Sequence, residues 1–93
     1  MLVSGPLARD AVPGRTLSLG AVAQVVDARY AGQILGIRAD DPRSHERRAG
    51  AALIYEVTGI TPQEAVIRVR IDAVTGQFLT IEGAGQVAAR RRE

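Results

Sequence analysis

The residues with the widest chemical repertoire sit close together, as Asp40, Asp41, Ser44, His45 and Glu46 within the run Asp40–Gly50 (DDPRSHERRAG). Carboxylates beside the single histidine of the chain are metal-ligand types, and Ser44 next to His45 has the types of a nucleophile and its base. Neither chemistry is expected to operate. The spacing matches no established ligand pattern, and Arg43, Arg47 and Arg48 would repel a cation from the same stretch. A nucleophile and its base need convergent geometry and a third orienting group, which neighbours in a loop do not have. Cysteine is absent, so thiolate ligands and disulfides are excluded. The stretch is predicted to be a solvated connection, in a chain with no catalytic residues, no bound metal and no cofactor.

Arg68 and Arg70 stand two apart in an alternating apolar run and should project from one side of a strand. They can pair with Glu56 or other acids across the sheet, or they can grip an acidic partner surface. Ile54, with Val66 and Ile34, is expected to form a small exposed apolar patch on that same side. Ile54, Val66, Arg68 and Arg70 are therefore the candidate protein-binding residues. Asp72, Thr75 and Gly76 belong to a tight turn, in which the Asp72 carboxylate accepts turn amides and Gly76 takes positive φ. Tyr55 is expected in the core with its hydroxyl at an edge.

These residues need elements to hold them. Ninety-three residues make one small domain, and a hydrophobic share of 46% with 24% charged residues is ordinary globular composition. Residues 1–17, with two prolines and two glycines, read as a flexible lead-in. A helix follows, capped by Ser18 or Thr16, with Leu19, Val22, Val25, Val26 and Tyr30 on its apolar stripe and Gly32 as its stop. Strands are predicted over Gln33–Ala39 (Leu35 and Ile37 on one face, Ile34 and Arg38 on the other), Ala52–Thr58, Ala65–Asp72 and Gln77–Glu82. Short turns between the last three demand antiparallel pairing. The predicted fold is α+β: one N-terminal helix packed across a four-stranded antiparallel sheet, helix first and β-meander after. Residues 83–93 read as a frayed basic tail.

The formal charge is +2, from twelve arginines against ten acids with no lysine. Arg90, Arg91, Arg92 and Glu93 carry that excess, leaving residues 1–89 neutral, so no nucleic-acid partner is expected for the folded body. No apolar run reaches the roughly 20 residues of a membrane span, and Met1–Ser18 has no apolar core of a signal peptide.

The ordered series of helix, Gly32, the strand around Leu35–Ile37, Ile54-Tyr55-Glu56-Val57 and Val69–Leu79 (VRIDAVTGQFL) resembles the PepSY domain over residues 17–82. That family is marked by a "YEV" strand followed by a strand ending in "DAxTG", and it includes propeptide domains of thermolysin-type metallopeptidases. The resemblance implies a PepSY-like domain over 18–82, periplasmic or secreted, non-catalytic, that modulates or inhibits a peptidase or sensor ectodomain through its sheet face or edge. The long arginine-rich loop at Asp40–Gly50 departs from the pattern, so no binding mode that depends on that loop is implied. A structural homodimer domain is the alternative.

Overall fold

The computed structural model describes residues 16–83. The expected lead-in over 1–17 and basic tail over 83–93 thus lie, apart from Thr16, Leu17 and Gly83, outside the described residues. The elements are α1 (Leu19–Arg29), β1 (Gln33–Asp40), α2 (Ser44–Arg48), β2 (Ile54–Ile60), β3 (Val66–Asp72) and β4 (Phe78–Glu82). The four strands form one antiparallel sheet in the order β1-β2-β3-β4. Helix then β-meander is the architecture that the periodicity predicts.

The Ser18 side chain accepts a hydrogen bond from the Ala21 amide at 3.1 Å, which satisfies one of the orphan donors of the first turn. An 11-residue helix is marginal alone, and α1 gains its stability from packing. Val22, Val26 and Tyr30 are buried with Val57, Ile67, Val69 and Ile71, and Leu17, Ile34, Ile37, Tyr55, Phe78 and Ile81 pack against that cluster. Leu19, expected on the stripe, is exposed; Leu17, on the other side of the cap, packs there instead. Leu17 is held by its backbone, whose N–H donates to the Ala73 carbonyl at 2.7 Å while its own carbonyl accepts from the Tyr55 hydroxyl at 3.1 Å.

Two expectations about β1 and β2 are corrected. The second strand runs Ile54–Ile60 rather than Ala52–Thr58. In β1 the register shifts between Ile34 and Gly36, so Leu35 is an extra, bulged residue. Strict alternation would set Ile34 against Ile37. The bulge puts both towards the core and leaves Leu35 60% exposed. A second bulge, at Leu79, interrupts the pairing of β4 with β3.

The connection at 40–50 is a further correction. It carries the single-turn helix α2, and residues 41–53 form a strap across part of the sheet face opposite α1. The helix was invisible to periodicity because five residues are too few to show a stripe.

Gly32 and Gly76 are among the glycines held at positive φ. Gly32 has φ +125°, and a Cβ there would stand 2.1 Å from the Ile60 carbonyl oxygen, so the turn out of α1 can press directly on β2. Gly76 has φ +80° in the β3–β4 turn, where a Cβ would meet Leu17 Cδ1 at 3.3 Å, a contact that a side chain can relieve. Both Gly32→Ala and Gly76→Val should therefore lower the melting temperature. Gly76→Val should cost about 1–3 kcal/mol of backbone strain, and Gly32→Ala should cost more because its obstacle is backbone. Calorimetry on the two variants checks the order; an unchanged melting temperature in either removes the corresponding constraint.

Candidate functional site

β3 carries Val66, Arg68, Arg70 and Asp72 on the face opposite α1, by alternation from the buried Ile67, Val69 and Ile71. The four do not share one environment. Val66 is 46% exposed and Arg68 is exposed, whereas Arg70 is 1% exposed and Asp72 is buried. The strap makes the difference. Ile54 on the neighbouring strand is fully buried as well, so the expected exposed patch of Ile54, Val66 and Ile34 does not exist. Ile54 and Arg70 are thereby corrected as partner contacts, since neither reaches the surface.

Arg70 is where the strap is fastened. Its Nε donates to Glu46 Oε2 at 2.8 Å and its Nη2 to Glu46 Oε1 at 3.0 Å, a bidentate pair. Nη2 also donates to the Asp41 carbonyl at 3.0 Å, and Nη1 serves Asp40 at 2.9 Å and Glu56 at 3.1 Å. All five guanidinium donors have acceptors. Glu46, fully buried, also accepts from the Arg43 amide at 2.8 Å and from the Thr80 hydroxyl at 2.6 Å. Among the described residues no buried side-chain nitrogen or oxygen lacks a partner. Burial pushes the Glu46 carboxyl up, but hydrogen bonds from Arg70, Thr80 and the Arg43 amide outweigh it and bring the group to about 2. Burial also opposes ionisation of Glu56, where bonds from Arg38 and Arg70 prevail and lower it; the Arg70 bond lowers Asp40 directly. The Glu46 bonds hold Arg70 above its ordinary value.

The side chains with catalytic potential are committed elsewhere. Glu46 faces Arg70, and exposed His45 meets Thr80 Oγ1 at 2.7 Å. Since the Thr80 hydroxyl donates to Glu46, the His45 ring nitrogen donates to Thr80. Ser44 is exposed at the start of α2. Among the described residues no group of three or more His, Cys, Asp or Glu could hold a metal ion. No helix among them is long and apolar enough to cross a membrane.

Among the described residues nothing covers the remainder of this face, where Val66 and Arg68 are exposed. Cross-strand register aligns Gly36, Thr58, Arg68 and Glu82 in one row, with Ile60 beside Val66 in the next. At the strap's margin Arg43 Nη1 lies 2.7 Å from Glu82 Oε2, and that bond lowers the Glu82 carboxyl, with Arg68 adding a smaller pull. In the β3–β4 turn the Asp72 carboxylate accepts from the amides of Val74 at 2.8 Å and Thr75 at 3.2 Å, and the Gly76 amide returns to the Asp72 carbonyl at 2.9 Å. Asp72, Thr75 and Gly76 thus shape the backbone.

The expected pairing of Arg70 with Glu56 is present, but sequence reasoning placed Glu46 in a solvated loop and missed both its bond to Arg70 and the strap. The one available signal was Glu46 three residues after Arg43, a position from which a glutamate reaches back to an amide before a helix. Comparison of the chain with protein-family models, with curated proteins and with solved structures finds no match. The fold and site define a small α+β domain with one sheet face under a helix and the other half closed by a charge-fastened strap.

Removing one member of this cluster strands buried charge. Arg70→Met should cost about 3–5 kcal/mol in urea unfolding, and adding Glu46→Met should recover part of that loss. Arg70→Lys should also be destabilising, since an ammonium offers three donors in place of a planar five. Full stability in Arg70→Lys would refute the shared-donor account.

The pH dependence follows from Glu46, whose folded value of about 2 lies below its ordinary 4.5. The folded state binds this proton less readily, so the stabilisation is complete above pH 4.5 and is lost as pH falls toward 2. Melting temperature should fall through that window in the wild type and fall less in Glu46→Gln, measured by circular dichroism.

Proposed function

We propose that this chain is a non-catalytic extracytoplasmic binding module, periplasmic or secreted, that modulates or inhibits a peptidase or a sensor ectodomain by covering part of its surface. The observation that carries the reading is an open half-face of sheet where Val66 and Arg68 stand exposed beside the strap. The ordered resemblance to the PepSY domain over 17–82 supports the same role and is the basis for the compartment and the partner class. The face is favoured over the edges. Both outer strands carry a bulge, at Leu35 and at Leu79, and bulges oppose the regular ladder that strand addition requires.

The test is capture of partners from native envelope extract on the immobilised chain, with a folded Val66→Asp/Arg68→Glu variant as the control surface. A peptidase or sensor ectodomain should be held by the wild type, lost by the variant, and altered in activity when the purified pair is mixed. Retention of nothing from any fraction overturns the reading. If sedimentation then shows a concentration-dependent dimer, the self-association role takes its place.

A further inference from the structure

We propose that the open half of the strap-side face docks an acidic, extended segment of a partner protein, in which carboxylates alternate with aliphatic side chains. This deepens the binding-module reading and rests on it.

The strap sorts charge. Three acids of this face, Glu46, Glu56 and Asp72, are buried, and Asp40 is bonded to Arg70. Apart from the buried Arg70, the arginines remain outside: Arg38, Arg43, Arg47, Arg48 and Arg68 are all exposed, with Arg38 paired to Glu56 and Arg43 to Glu82. Where strap meets open sheet, Arg43 and Arg68 flank the single carboxylate of Glu82, so that among the described residues this margin carries one uncompensated positive charge. A chain neutral through residue 89 therefore presents a positive, partly apolar surface here.

Geometry narrows the partner. Arg68 and Val66 are two residues apart on one strand, so their side chains emerge about 7 Å apart on the same side. An extended segment repeats its side chains at that interval, which lets one carboxylate meet Arg68 while the next same-side aliphatic group covers Val66. Gly36, where a Cβ would meet nothing within 4 Å, leaves space alongside. A second copy of this chain fits less well. A two-fold axis through the patch would bring two Arg68 side chains together. A nucleic acid or other polyanion also fits poorly, because Tyr30, Tyr55 and Phe78 all belong to the opposite core and no aromatic ring on this face offers stacking.

The experiment titrates the isotope-labelled full chain with three probes: an octapeptide alternating Glu and Val, the matching Lys and Val octapeptide, and inorganic polyphosphate. The Glu/Val peptide should shift the amides of Thr58, Ile60, Val66 and Arg68. Arg68→Glu should weaken it at least about 5-fold, and added salt should weaken it too. The proposal is overturned if the Lys/Val peptide binds as tightly, if polyphosphate matches the Glu/Val peptide, if the shifts fall on α1, or if none occur at millimolar peptide. A partner captured from extract that contacts α1 would leave the binding-module reading standing and remove this one alone.

Discussion

Arg70 holds the strap side of this molecule together through five hydrogen bonds. Burying a guanidinium costs several kcal/mol unless its charge and every N–H are matched. On β3, two residues from the exposed Arg68, a bare sheet could not match them. The match requires Asp40 at the end of β1, Asp41 and Glu46 from the strap, and Glu56 from β2, with Thr80 of β4 completing Glu46. All four strands and the strap thus converge on one side chain. The α1 side depends on aliphatic burial in the ordinary way, and the two halves of the fold are held by different forces.

The same cluster decides what the surface offers. A sheet with one helix presents a whole second face, and here the strap removes half of it together with most of its acids. What remains is narrow: Thr58, Ile60, Val66 and Arg68, bordered by the Arg43–Glu82 pair. A site of that size suits one extended segment better than a broad globular surface, and its sign is set by the residues that the strap consumed.

The bulges at Leu35 and Leu79 act on the remaining routes of association. Each adds a residue to an outer strand, raises local twist, and spoils the regular spacing of outward amides and carbonyls. The edges are guarded while the face stays available. In β1 the bulge also turns Ile34 inward with Ile37, so the core gains an aliphatic group as the edge becomes irregular.

Local pattern was enough for helix, strands, pairing sense and the Asp72–Gly76 turn, because each follows from near neighbours: a stripe at helical spacing, alternation, an N-cap, a turn too short for a crossover. Arg68 and Arg70 mark where that legibility ended. Alternation assigns them to one side, correctly, but a strand pattern carries no information on what lies above that side. Glu46 is 24 residues from Arg70 in sequence, and only the folded path of the strap brings them together. Ile54 failed for the same reason, as an apolar residue on a face expected to be wet. The sequence by itself determined α1, the four strands and the antiparallel pairing of the last three, since those are short-range consequences of side-chain spacing. Only the tertiary structure decided which half of the face is closed and which arginine is free, because burial depends on what covers a residue, and that is a long-range property of the chain.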